Sequence, residues 1–291
     1  MTNKIHPEIK KYFSLDIHKI LKDKNPLLAK FIPGFIVNWI KKIVHQDEIN
    51  GALAKGADLN DSQFAALSIA MVGATFESIG KENIPLSGGA IVASNHPLGA
   101  IDGMALLVEA TKIRPDSKFI VNDILMNLPN FQSQFIPVNK LGSSPRESLK
   151  RVDDTYASGD LVLIFPAGIC SRKQKGIIHD LDWNKGFISR AIKYNLPIIP
   201  TFIEGKNSNR FYNIARIRRF LGIKANIEMF FLSDEMFQQK GKHLHIYFGK
   251  PIPASTFDKQ YSQPEWAYHI REYVYAMVKN KNLTFLEYMN R

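Results

Sequence analysis

From the start of the chain to about residue 85, apolar residues recur at helical spacing. Residues 17–27, 35–44 and 64–79 each keep a period near 3.6, and Gly80 closes the third run. In residues 31–44, FIPGFIVNWIKKIV, the rows Phe35, Trp39, Ile43 and Ile36, Ile40, Val44 lie side by side and make one helical face apolar. Two uses of that face are open. It packs on a core, or it lies on a bilayer with Trp39 at the interface and Lys41 and Lys42 among headgroups.

After Pro85 the period changes. Residues 90–94 (AIVAS), 119–122, 135–138, 161–165 (LVLIF), 198–203 and 244–248 are short apolar runs and are expected to be strands. Between them lie helical stretches at 104–111, 185–195 and 268–279. A further helix opens at Ser144-Pro145-Arg146-Glu147, with Ser as N-cap, Pro at the first helical position and Glu to close a capping box, and it ends near Gly159. Strands alternating with helices predict an α/β fold, a central sheet flanked by helices. The expected plan is a helical N-terminal region at 1–85 and an α/β domain at 86–291, with no repeat or linker.

Charge narrows the choice of partners. Lys and Arg number 38 against 27 Asp and Glu, a formal net charge of +11. That surplus favours anionic lipid, phosphorylated substrates, an acidic carrier protein or nucleic acid. Residues 206–224 hold Lys206, Arg210, Arg216, Arg218, Arg219 and Lys224 without one acid, interleaved with Phe211, Tyr212, Phe220 and Leu221. Such a basic, apolar-laced helix suits an anionic membrane or an acidic acyl carrier protein, or it is simply a solvated face. No nucleic-acid motif accompanies the charge, so none is expected as partner. The opening residues lack a secretory signal, and no run approaches the roughly 20 apolar residues of a spanning helix. The lone Cys170 excludes an internal disulfide and a thiolate zinc site, and favours a reducing compartment. Walker, Gly-x-Ser-x-Gly, Gly-x-Gly-x-x-Gly and His-Glu-x-x-His motifs are all absent.

Two strand ends carry the candidate chemistry. AIVAS runs into Asn95-His96-Pro97-Leu98-Gly99-Ala100-Ile101-Asp102-Gly103. In open α/β sheets, sites form at the carboxyl ends of strands. A loop His is a base near neutral pH, and a carboxylate beside it fixes its tautomer. Asp102 is equally suited to cap the following helix. LVLIF runs into an expected loop, Pro166-Ala167-Gly168-Ile169-Cys170-Ser171-Arg172-Lys173-Gln174-Lys175, where Gly admits a close backbone approach and Arg172 and Ser171 suit a phosphate. Cys170 is expected to be a packing residue rather than a nucleophile. His179-Asp180-Leu181-Asp182 has the composition of a metal or acid–base cluster, but without further ligands nearby in sequence it is expected to be a solvated loop, and residues 119–123 receive no role.

The two blocks, in this order, resemble the glycerolipid acyltransferase superfamily, which includes the lysophosphatidic acid acyltransferases. Its mark is Asn-His-x4-Asp followed by Phe-Pro-Glu-Gly. Here five residues separate His96 from Asp102, and Ala167 stands in place of Glu. Both departures are similar to one branch, the hemolysin-labelled bacterial proteins and the aminolipid O-acyltransferases, with Asn-His-Pro-x-Gly-x-x-Asp-Gly and Phe-Pro-Ala-Gly-x-x-Ser-Arg. Residues 203–208, Ile-Glu-Gly-Lys-Asn-Ser, with Phe211 after them, resemble a further block, and the likeness spans about 85–255.

The resemblance implies a glycerol-phosphate acyltransferase-like mixed sheet and an O-acyltransferase without cofactor or metal. His96 would take the proton of an acceptor hydroxyl as it attacks an acyl thioester on acyl carrier protein or coenzyme A, and Asp102 would orient His96. Backbone amides near Gly168 or Gly99 would hold the oxyanion. Asn95, Gly99, Pro166, Gly168, Ser171, Arg172 and Asn207 would line the substrate site, with Arg172 on an anionic group. The missing Glu favours a lyso-aminolipid acceptor, a glycine or ornithine lipid, over lysophosphatidic acid. The expected location is the inner face of the cytoplasmic membrane, as a peripheral protein. A rival of another class is a non-catalytic, hemolysin-like membrane binder, against which the intact His96 and Asp102 argue.

Overall fold

The computed structural model describes residues 14–24, 30–121, 131, 133–138, 145–223, 226–280 and 283–291. Four helices come first: α1 (Ile17–Lys24), α2 (Gly34–Ile43), α3 (Gln46–Lys55) and α4 (Asp61–Val72). Then follow β1 (Thr75–Ile79), β2 (Ala90–Ser94), α5 (Ala100–Thr111), β3 (Lys118–Val121), β4 (Phe135–Pro137), α6 (Pro145–Ala157) and β5 (Leu161–Ile164). A hairpin, β6 (Arg172–Gln174) with β7 (Ile177–His179), precedes α7 (Gly186–Tyr194) and β8 (Ile198–Ile203). The chain closes with α8 (Asn209–Phe220), α9 (Leu232–Phe237), β9 (His243–Phe248), α10 (Gln263–Met277) and α11 (Phe285–Met289).

Seven strands form one mixed sheet in the order β1-β9-β8-β2-β5-β3-β4. Every pairing is parallel except β8 with β9. Helices cover both faces, which is why the central strands read as unbroken apolar runs. All five residues of β2 are buried. Its Ala90 and Val92 face a core shared with α3, α4 and α5, and its Ile91 and Ala93 face one shared with α6, α7, α10 and α11. Because β8, β2 and β5 are parallel neighbours, the loops that follow them, at 204–208, 95–99 and 165–171, leave the sheet at the same edge. That topology brings the three motif blocks together.

Two expectations are corrected here. The helical pattern read over 64–79 stops at Val72, where Gly73 takes the left-handed conformation (φ 77°) and caps the helix, and residues 75–79 instead form β1, paired with β9. A strand therefore lies within the stretch read as helical. The basic stretch after Arg172 is not a plain loop but the β6–β7 hairpin, turned by Lys175 and Gly176, both at positive φ. The other expected runs lie within about five residues of the elements that contain them, while α3, α9 and α11 carried no expectation of their own. Ser144, the expected cap of α6, lies outside the described residues, as do Leu27, Asn122, Asp123 and Lys224.

Candidate active site

His96 leaves the end of β2, and Asp102 stands in the first turn of α5. The Asp102 carboxylate is fully buried and lies 3.1 Å from His96 Nδ1. It also accepts from the amides of Leu98 (2.7 Å), Gly99 (3.2 Å) and Gly103 (2.8 Å). One side chain serves both helix and histidine, but Asp102 is not the N-cap: Gly99 takes that position, and Asp102, three residues on in the first turn of α5, accepts the Gly99 amide while it holds His96. The loop between them turns at Gly99, whose φ 93° and ψ −119° only glycine adopts without strain. The His96 ring stacks on Phe165 at 4.0 Å. Its Nε2 has no hydrogen-bond partner among the described residues. With Nδ1–H donated to Asp102, Nε2 carries the lone pair that a general base needs.

The backbone of His96 is clamped by the second block. Its carbonyl accepts from Ser171 N–H at 2.7 Å, and its N–H donates to Asp180. Asp180 is buried and also accepts from Ser171 Oγ (2.5 Å) and Trp183 Nε1 (2.9 Å), while its own amide donates to Tyr275 of α10. Burial raises the Asp180 carboxyl above its usual value, outweighing those donors. Residues 179–182 were expected to be a solvated loop, and Asp180 corrects this. The signal in the sequence was Trp183, three residues on, an indole that needs a buried acceptor.

Several expected contacts are directed elsewhere. Asn95 exchanges two hydrogen bonds with the Ile203 backbone, so it fastens β2 to the end of β8. Arg172, expected on a substrate anion, is buried against Glu228 at 2.8 Å and over the Phe211 ring. Arg218 approaches the same carboxylate. The expected oxyanion donors are also engaged, Gly99 N–H with Asp102 and Gly168 N–H with the Phe165 carbonyl in a turn. Pro166 is buried beneath that turn, and Gly168 is exposed at its tip. Cys170 is fully buried, and burial pushes its thiol up to about 12, which removes it as a nucleophile at neutral pH.

Asn207 is different. Its side chain is 3% exposed, and neither its oxygen nor its nitrogen has a partner among the described residues. It follows Gly205, which packs against Leu98 of the His96 loop. A buried amide left so costs about 1–3 kcal/mol. Beside the site runs a groove of about 750 Å³, bounded by Ala167, Gly168, Ile169, Asp180, Arg271 and Glu272. His96 does not line it, and the two meet at the 167–169 loop and Asp180.

The family described as acyltransferase matches residues 19–283. This chain belongs to that family. It is an acyltransferase, and the resemblance read from residues 95–103 and 165–172 is borne out. The non-catalytic rival gives way with it. The chain is 42% identical over 266 residues to the lyso-glycine lipid O-acyltransferase of Bacteroides thetaiotaomicron, covering 91% of this chain and 98% of the relative. It is 41% identical to the protein of the same name from Phocaeicola vulgatus, with 91% and 95% covered. Among solved structures, the 1-acyl-sn-glycerophosphate acyltransferase PlsC of Thermotoga maritima aligns with a TM-score of 0.48 and 13% identity, over 96% of this chain and 100% of that one. No helix among the described residues of the acyltransferase is long and apolar enough to cross a membrane.

Proposed function

We propose that this acyltransferase moves a fatty acyl group from a thioester to the hydroxyl of a lyso-glycine lipid, with His96 as base. The observation that carries the reading is His96 held by buried Asp102 with Nε2 unpartnered, in a chain whose curated relatives are named for that acceptor. Nε2 accepts the hydroxyl proton as the oxygen attacks the thioester carbonyl. The tetrahedral intermediate then expels the thiolate, which takes the proton back from the imidazolium. The Asn207 amide is suited to a polar group of substrate, and Ala167 leaves open the place where a Glu would meet a glycerol phosphate.

The donor is carried by acyl carrier protein or coenzyme A. The enzyme works peripherally at the inner face of the cytoplasmic membrane. Support for docking comes from Phe35 and Trp39 on α2 and from Phe220 and Phe230, all exposed. Trp39 meets Phe231, and Arg210 lies over that ring, so cations and aromatics share this side.

The test is acyl transfer by purified protein. Radiolabelled acyl-carrier protein and acyl-coenzyme A are each offered with lyso-glycine lipid, lyso-ornithine lipid or lysophosphatidic acid. Labelling of lyso-glycine lipid is expected, and His96→Ala should reduce it by about 10²- to 10⁴-fold. Labelling of lysophosphatidic acid alone would overturn the acceptor. Equal labelling by His96→Ala would overturn the base.

A further inference from the structure

We propose that Glu77, His243 and His245, partly exposed at the β1–β9 edge of the sheet, form a divalent transition-metal site, with Zn²⁺ as its occupant. The three residues lie on two adjacent strands in register. Glu77 stands opposite His245, and Thr75 stands opposite His243. Strand alternation sends the odd-numbered side chains of both strands to one face. Among the described residues, one ligand atom from each of Glu77, His243 and His245 lies within 4.8 Å of the others.

The geometry is closer than such proximity requires. Glu77 Oε2 lies 3.3 Å from His243 Nε2 and 3.8 Å from His245 Nε2. Zn–N and Zn–O bonds of 2.0–2.1 Å set the edges of a coordination tetrahedron at about 3.4 Å. A metal ion placed between these atoms needs only side-chain adjustment, and all three side chains are at least partly exposed.

The surroundings orient both rings for metal. His245 Nδ1 lies 2.8 Å from Glu204, and His243 Nδ1 lies 2.8 Å from the Thr75 hydroxyl. In the ligating tautomer each Nδ1–H donates to that oxygen, and each Nε2 presents its lone pair toward Glu77. A carboxylate behind a ligand imidazole is the arrangement that fixes and strengthens metal-bound histidine. Glu204 is itself held by Tyr247 at 3.0 Å and by the His245 backbone amide at 3.1 Å. Two imidazoles with one carboxylate suit zinc-like ions, whereas calcium and magnesium favour all-oxygen sites.

The consequence is mechanical. β1 is the edge strand that follows the N-terminal helices, and a metal here staples it to β9. The second-sphere residue Glu204 opens the 204–208 loop, whose Gly205 packs on Leu98. The staple therefore ends one residue from a contact with the His96 loop.

The experiment is calorimetric titration of ZnCl₂ into the untagged full chain after treatment with a chelator, with melting temperature measured in parallel. One tight equivalent is expected, with a rise in melting temperature. His243→Ala, His245→Ala and Glu77→Gln should each weaken it at least tenfold and remove the rise. Glu204→Gln should weaken it about 10- to 100-fold. All four sites are surface or part-exposed, and circular dichroism confirms that each variant is folded. Absence of saturable binding would overturn the proposal. Binding of unchanged affinity in both histidine variants would overturn it equally, since the metal would then lie elsewhere.

Discussion

At the scale of single residues, Asp102 and Asp180 divide the positioning of His96. Asp102 fixes the ring and Asp180 fixes the backbone. Asp102→Ala should lower acyl transfer nearly as far as His96→Ala, and the double variant should be little worse than either, because the two act as a unit. Asp180→Ala leaves three donors without their acceptor. At about 1–3 kcal/mol for each buried donor, a loss of roughly 3 kcal/mol or more is expected in denaturant unfolding. The pH dependence has a definite sign. The folded-state value of Asp180 is raised from 3.8, so its favourable contribution is complete below that value and is lost as pH rises through the folded value. Wild-type stability measured against Asp180→Asn should therefore grow as pH falls from neutral toward the acid range. Cys170 makes a simpler case. Its thiol is buried and its value lies at about 12, so iodoacetamide at pH 8 should label it only after unfolding.

At the scale of elements, the site depends on three consecutive parallel strands that end together. The blocks after β2, β5 and β8 are about 70 and 40 residues apart along the chain, yet they touch. Gly205 shows how closely. It sits at φ 128°, and a Cβ there would meet Leu98 side-chain atoms at 2.8–2.9 Å. Gly205→Ala should cost about 1–3 kcal/mol from backbone strain and displace the His96 loop. Loss of kcat/KM beyond the loss of stability, measured well below the melting temperature, checks the displacement.

At the scale of the molecule, exposed arginines and exposed aromatics are neighbours on one helix and the turn it packs on. Arg216 and Arg219 are exposed on α8, which packs on the turn carrying Phe230 and Phe231. Phe220 is 88% exposed, an unusual state for such a ring in a solvated helix. Co-sedimentation with vesicles rich in phosphatidylglycerol should fall with added salt. Arg219→Ala should weaken it about fivefold, from about 1 kcal/mol per basic residue near an anionic surface. Trp39→Ala and Phe220→Ala should weaken binding at high salt as well, where only the apolar contribution remains.

The pairing of His96 with Asp102 and the alternation of elements were legible from residues alone. His96 with Asp102, the Phe165–Arg172 block and the apolar runs of β2, β5 and β8 are local patterns, and local patterns survive folding when burial and hydrogen bonding agree with them. What was not legible depends on partners distant in sequence. Residues 75–79 become a strand because β9, more than 160 residues later, supplies their hydrogen bonds. Arg172 reads as an anion ligand until Glu228 neutralises it, and His179-Asp180 reads as solvated until Ser171, Trp183 and Tyr275 close over the carboxylate. Glu77, His243 and His245 carry no shared motif, because only strand pairing places them side by side. A side chain's chemistry belongs to its sequence position, but its charge partner, burial and orientation belong to the residues that the fold brings to it.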